Sequence, residues 1–64
     1  MNKERILKIY EEVFEENGDI KSCGREKCKE LILEMTKVYS NVNFGNKETG
    51  FMHIENIKKY INLI

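Results

Sequence analysis

The sequence of 64 residues contains no proline and no tryptophan, only two cysteines, and no apolar run longer than residues 31–33. Two cysteines allow one disulfide at most, which excludes a small scaffold held together by disulfides. An apolar run this short excludes a membrane span and the apolar segment of a secretory signal. We therefore expect a cytoplasmic protein with reduced thiols and no membrane association.

The sequence also lacks net charge, because eleven basic residues balance eleven acidic ones. A neutral chain has no general electrostatic attraction for nucleic acid, so nucleic acid is an unlikely partner. No phosphate-binding loop, nucleophile–base set or metal-ligand quartet is visible in the sequence. These absences indicate a protein that is not an enzyme and binds neither a cofactor nor a metal. The bias toward Lys, Asn, Ile and Glu is typical of a bacterial source.

Three stretches with helical periodicity, separated by glycine-bearing breaks, are what the sequence does contain. The first runs from residue 2 or 3 to Glu16, with Asn2 as its cap and Asn17-Gly18 as its end. The apolar stripe of this helix is Ile6, Leu7, Ile9, Tyr10, Val13 and Phe14. Ile20, in the short connection that follows, is expected to pack beneath the turn. The pattern predicts an amphipathic helix with one buried face.

The second predicted helix begins near Ser22 or Cys23 and ends near Tyr39. Its apolar stripe is Cys28, Leu31, Ile32, Met35, Val38 and Tyr39. The third predicted helix runs from His53 to Leu63 or Ile64, and Thr49 is its candidate cap. Its seam is Ile54, Ile57, Ile61 and Ile64. Both stripes repeat with the period of an α-helix.

Residues 40–50 form a long polar connection before the last helix. Alternating apolar residues there are compatible with a short strand pair between residues 42–44 and 51–53. The sequence therefore predicts an all-α fold, a single three-helix domain over residues 1–64, with that strand pair as an option within the loop.

Two leucines do not fit the buried stripes. Leu33 lies about 140° from Cys28 around the second helix, and Leu63 lies opposite the isoleucine seam. Exposed leucines in so small a domain indicate an interface. We therefore expect a non-enzymatic protein that acts through contact with a protein partner or a second copy, with Leu33 and Leu63 as candidate interface residues.

The alternative is a DNA-binding or transcription-linked module. The first two helices and the glycine turn between them are compatible with a helix-turn-helix. Its candidate contacts to nucleic acid form a basic cluster at the start of the second helix: Lys21, Arg25, Lys27 and Lys29. The zero net charge and the acidic end of the first helix argue against this alternative.

The two cysteines and the single histidine receive separate interpretations. Cys23 is a candidate reactive thiol, because a helix N-terminus and nearby cations lower a thiol pKa. Cys28 is expected in the core. On one helix the two thiols would point about 140° apart, so they would not share a metal. His53 is expected at the edge of the third seam, without a catalytic role.

Overall fold

The computed structural model describes residues 3–22 and 24–64, which form three helices and a two-stranded antiparallel sheet. The elements in chain order are α1 (Lys3–Val13), α2 (Gly24–Val38), β1 (Gly45–Asn46), β2 (Phe51–Met52) and α3 (Ile54–Ile61). Helices account for 56% of the described residues. The predicted all-α class is therefore corrected to a mainly helical fold with a small β-hairpin. The predicted cap at Asn2 lies outside the described residues.

Helix α1 ends at Val13, earlier than the predicted end at Glu16. Beyond it, Phe14 and Ile20 form an antiparallel bridge. The amide of Lys21 donates to the carbonyl of Val13 at 2.8 Å, which closes this bridge on one side. The segment after α1 is thus a narrow hairpin-like turn and not a further helical turn.

Local chemistry explains why the turn replaces the helix. The side-chain oxygen of Asn17 accepts a hydrogen bond from the amide of Asp19 at 3.0 Å, and Gly18 has a φ of +92°. Asn and Gly both favour such turns. Extending the helix would also place Glu15 and Glu16 at its C-terminal end, where the helix dipole disfavours negative charge. Asn17-Gly18 does form a turn, as predicted, but α1 already ends at Val13.

Helix α2 is the central element, since α1 and both strands of the hairpin pack against it. It begins at Gly24 and ends at Val38, one residue inside the predicted bounds at each end. Four of its stripe residues are buried as predicted: Cys28, Leu31, Ile32 and Met35. The sequence pattern missed Glu34, a charged residue that is only 5% exposed.

The connection after α2 contains a hairpin, but in a different register from the predicted one. Gly45 pairs with Met52 and Asn46 with Phe51, whereas the prediction placed the first strand at residues 42–44. Gly45 has a φ of +132°, and a Cβ atom there would overlap the carbonyl oxygen of Phe51. Only glycine fits this close approach between the strands. The carbonyl of Phe44 still accepts a hydrogen bond from the amide of His53, just outside the sheet.

Helix α3 is shorter than predicted and spans Ile54–Ile61, with His53 at its N-cap position. The His53 side chain makes no capping hydrogen bond. Thr49 does not cap this helix either, because its hydroxyl oxygen accepts from the amide of Phe51 in the hairpin. Ile57 and Ile61 of the predicted seam are buried, and Ile54 and Ile64 are partly buried against the core.

One apolar core joins the helices and the hairpin. Its buried members are Ile6, Ile9, Val13, Phe14, Cys28, Leu31, Ile32, Met35, Phe44, Met52, Ile57 and Ile61. Two sequence-based expectations about apolar residues are wrong. Leu7 was placed in the buried stripe but is 41% exposed, and Ile20 is 47% exposed instead of packed beneath the turn.

Ion pairs between α1 and α2 complement the apolar core. Arg5 on α1 contacts Glu30 at 2.7 Å and Glu34 at 3.2 Å on α2, and Lys37 contacts Glu34 at 2.9 Å. The hydrogen bond from Lys37 lowers the pKa of Glu34 against the opposing effect of burial, and Arg5 lowers it further. Glu34 is therefore a buried carboxylate that its neighbours keep charged.

Candidate functional site

Both predicted interface leucines are exposed, but they lie on different parts of the fold. Leu33 is midway along α2 and is 42% exposed, whereas Leu63 follows the end of α3 and is 64% exposed. The sequence analysis missed Phe51, which is 69% exposed at the hairpin. The alternation of side chains along a strand explains it, because Met52 points into the core and its neighbour Phe51 must point away.

A groove of about 520 Å³ lies between α2 and the segment that carries the hairpin. We call it the hairpin groove, and it is lined by Ile32, Thr36, Val42, Asn43, Phe44, Gly45, Asn46, Lys47, Glu48, Phe51 and His53. Leu33 is not among the lining residues, but it lies one helical turn before the lining residue Thr36 on α2. Of the large exposed apolar side chains, Phe51 therefore lines the groove itself.

Three of the polar side chains that line the hairpin groove make local contacts. The hydroxyl of Thr36 donates to the carbonyl of Ile32 at 2.7 Å and is thus held within its own helix. The ring of His53 meets the Phe51 ring edge-on, with 6.2 Å between centroids. Asn43 uses its side-chain oxygen to accept from the amide of Gly45. Thr36 thus bonds within α2, whereas Asn43 and His53 make contacts within the segment that carries the hairpin.

A second groove, of about 440 Å³, lies at the end of α1. We call it the acidic groove, and besides Gly18 it is lined by Tyr10, Glu11, Phe14, Glu15, Glu16 and Lys21. The rings of Tyr10 and Phe14 lie 4.7 Å apart and give the groove an aromatic floor. The early end of α1 creates this groove, because the turn brings Gly18 back beside the helix. The sequence-based prediction continued the first helix to Glu16 and therefore included no groove here.

The predicted nucleic-acid contacts all have partners within the fold. Lys27 pairs with Glu12 at 2.7 Å, and Lys29 with Glu26 at 3.4 Å. The ammonium of Lys21 donates to the carbonyl of Glu11 at 2.8 Å. These contacts give three members of the basic cluster local roles in the structure.

Arg25, the fourth member, lies against the hairpin turn. Its guanidinium donates to the carbonyl of Thr49 at 3.4 Å. A Cβ atom on Gly50 would lie 3.1 Å from the Arg25 carbonyl and 3.5 Å from the side chain of Lys29. The hairpin turn thus covers one side of the first turns of α2, where a recognition helix would have to meet DNA.

The remaining sequence-based candidates concern chemistry at sulfur and metals. Cys23, the candidate reactive thiol, lies outside the described residues, so its reactivity stays a prediction. Cys28 is 9% exposed and belongs to the core. Within residues 3–22 and 24–64, no three His, Cys, Asp or Glu side chains are grouped to hold a metal ion. No helix in the same residues has the length and apolar character needed to cross a membrane.

Comparison with protein-family models, with curated proteins and with solved structures finds no match to this chain. The two grooves and the exposed apolar side chains are therefore the features of this molecule that bear on its function.

Proposed function

We propose that this protein acts without catalysis, by binding another polypeptide chain through the hairpin groove. The observation that supports this is the exposure of Phe51, which at 69% is the most exposed large apolar side chain among the described residues. Leu33, one turn from the lining residue Thr36, is a candidate contact beside the groove, and Leu63 is a further candidate contact on the α3 side. An aromatic side chain at the rim of a depression with both apolar and polar lining is typical of binding surfaces.

The apolar content of the chain supports the same proposal. A domain of this size has a small core, and every large apolar side chain that stays exposed to water makes that core smaller. We place the protein in the cytoplasm of a bacterial cell, on the basis of its low cysteine content and composition. The partner is either a second copy of this chain or a different protein.

The experiment combines sedimentation equilibrium with photo-cross-linking. Purified protein is measured over a range of concentrations, and a photoreactive phenylalanine analogue replaces Phe51 in cells of the native host. We expect either concentration-dependent dimerisation or a discrete cross-linked partner. A protein that stays monomeric and gives no discrete cross-link would contradict the proposal.

Variants then test which surface is responsible. Phe51→Glu and Leu33→Glu should abolish association, and Leu63→Glu should weaken it if that leucine extends the interface. Each change should alter the free energy of unfolding by less than about 0.5 kcal/mol, because these side chains are exposed. Ser22→Glu is the matched control, since it adds the same charge at another exposed site. Association that survives Phe51→Glu would remove the hairpin groove from the proposal.

DNA binding is the second candidate function, and the basic cluster is the feature that supports it. Because its four cations have partners within the fold, we expect no salt-sensitive affinity for duplex DNA. Arg25→Glu combined with Lys29→Glu should then have no effect on any binding activity. A DNA affinity that falls with salt and is lost in this variant would favour the alternative instead.

A further inference from the structure

Asn17-Gly18 is the one place in the sequence where an asparagine precedes a glycine. An asparagine in this position is chemically labile, because glycine has no side chain to keep its backbone nitrogen away from the asparagine side chain. Asn17 is exposed to water on the turn that follows α1. The pair is therefore a candidate site of deamidation, a modification that needs only water and no enzyme.

Deamidation of this pair proceeds in two balanced steps. The backbone nitrogen of Gly18 forms a bond to Cγ of Asn17 and loses its proton, while the bond between Cγ and Nδ2 breaks and Nδ2 leaves as ammonia. Water then opens the cyclic imide. Cleavage between the Gly18 nitrogen and Cγ gives aspartate. Cleavage between that nitrogen and the backbone carbonyl carbon of Asn17 gives isoaspartate, in which the main chain runs through Cγ.

Hydrogen bonds of the folded turn hold both reacting groups. The amide of Gly18 donates to the carbonyl of Glu15 at 2.9 Å, so the nitrogen that must attack is already engaged. Oδ1 of Asn17 accepts from the amide of Asp19 at 3.0 Å, and Nδ2 donates to the Asp19 carboxylate at 3.2 Å. The Asn17 side chain is thus fixed toward Asp19. Cyclisation breaks these bonds and therefore requires the turn to open.

Lys58 on α3 fastens the same turn to the rest of the fold. Its ammonium donates to the carbonyl of Gly18 at 2.7 Å and lies 5.3 Å from the centre of the Phe14 ring. A cation over an aromatic ring is stabilised by the ring quadrupole. The contact joins residues that are 40 positions apart in the chain. Opening the turn therefore costs a tertiary contact as well as the local hydrogen bonds.

We propose that Asn17 is a deamidation site that the folded turn and its contact with Lys58 protect, and that local opening of the turn controls the rate. Each product weakens the closed turn. Aspartate places a carboxylate oxygen where Nδ2 now donates to Asp19, and the like charges repel. Isoaspartate lengthens the main chain of the turn by one carbon atom. This inference is independent of the proposed function.

The test follows deamidation of the full chain at mildly alkaline pH, by peptide mapping with mass spectrometry. We expect Asn17 to react at least about tenfold more slowly in native buffer than in unfolding urea, because several hydrogen bonds must break before each event. Urea below the unfolding range should hardly change the native rate, since opening a turn exposes little surface. Equal native and unfolded rates would overturn protection by the fold, and a steep rise at low urea would overturn control by local opening.

A pair of lysine variants tests the tertiary contact. Lys58→Met removes the ammonium that donates to Gly18 and should accelerate deamidation of Asn17 several-fold. Lys59→Met is the matched control, because it makes the same change at the next residue, whose ammonium lies over the Tyr60 ring, and it should leave the rate unchanged. An unchanged rate in Lys58→Met, or the same rise in both variants, would overturn the role of Lys58.

The effect of the modification is tested with Asn17→Asp, which reproduces the aspartate product. Amide hydrogen exchange at Gly18 should be faster in this variant than in the wild type, because the repulsion from Asp19 favours the open turn. Asn41→Asp is the matched control, since it adds the same charge at another exposed asparagine. Equal exchange at Gly18 in both variants would show that the product fits the closed turn, and this would overturn the proposed effect.

Discussion

On the side of α1 that faces α2, acidic side chains form ion pairs, whereas at the end of α1 three glutamates line a groove without forming an ion pair within the described residues. Glu12 contacts Lys27 at 2.7 Å, and Arg5 contacts Glu30 at the same distance. No such contact within the described residues involves the glutamates of the acidic groove. The same residue type thus holds two helices together in one place and leaves negative charge exposed in the other.

The difference arises from where the helix ends. Up to Val13, α1 lies along α2, so its charged side chains can reach cations on the neighbouring helix. After Val13 the chain turns back at Gly18, and Glu15 and Glu16 lie on a turn that faces no second helix. For Glu15 and Glu16, the lack of ion pairs thus follows from the end of helix packing, whereas Glu11 lines the groove from within α1.

The largest expected effect comes from the core that both regions share. Leu31→Ala should lower the free energy of unfolding by about 2–5 kcal/mol, because Leu31 is fully buried and the change leaves a cavity. Leu7→Ala is the control on α1, since Leu7 is 41% exposed and should cost far less. Urea denaturation followed by circular dichroism measures both. Equal losses would show that the assignment of the two leucines to core and surface is wrong.

The hairpin should be sensitive to a single methyl group. Gly45→Ala should destabilise the protein by roughly 2 kcal/mol or more, because a positive φ alone costs about 1–2 kcal/mol and the new Cβ would overlap the Phe51 carbonyl. Gly24→Ala shares the positive φ, of +76°, but, apart from its chain neighbours and the backbone of its own helix, no described atom lies within 4 Å of the new Cβ. Thermal unfolding should therefore rank Gly45→Ala as the more harmful change. The reverse order would contradict the observed strand register.

Lowering the pH should destabilise the protein through its ion-paired glutamates. The folded-state pKa of Glu34 and that of Glu12 lie below the usual value of 4.5, because Lys37 and Lys27 donate hydrogen bonds to them. A lowered folded-state pKa contributes stability above the unfolded value that is lost as the pH falls through the folded one. The free energy of unfolding should therefore decline below about pH 4.5, and less steeply in Glu34→Gln. An identical pH profile for this variant would exclude Glu34 as a contributor.

The sequence allowed the helices and most of the core to be predicted, because burial repeats with the helical period. Leu7 was wrongly predicted to be buried because it lies at one edge of the apolar stripe of α1. The sequence does not show which of the two edges α2 covers. Asn17-Gly18 marks a chain reversal, but whether the helix continues up to it depends on the Phe14–Ile20 bridge. The hairpin register depends on the contact between Gly45 and Phe51, which alternation of apolar residues does not reveal.

The charged sites were also hard to predict, because they too depend on contacts between residues that are distant in the sequence. Glu34 is ordinary in the sequence, and only the structure shows that Lys37 on its own helix and Arg5, 29 residues away, both contact its carboxylate. The acidic groove could not be predicted from the sequence, because its glutamates look there like unfavourable residues at the C-terminal end of a helix. Phe51 could have been found, since the alternation that buries Met52 also exposes its neighbour.

The comparison between paired and unpaired glutamates is tested most directly by their effects on stability. Glu34→Gln and the double variant Glu15→Gln with Glu16→Gln are each unfolded in urea at neutral pH. The first should lower the free energy of unfolding by about 1–3 kcal/mol, because it weakens hydrogen bonds to charged groups at a buried site. The second should change it by less than about 0.5 kcal/mol, because these exposed carboxylates have no partner within the described residues. A loss in the double variant as large as that in Glu34→Gln would show that the fold needs these glutamates, and would contradict the account of the acidic groove.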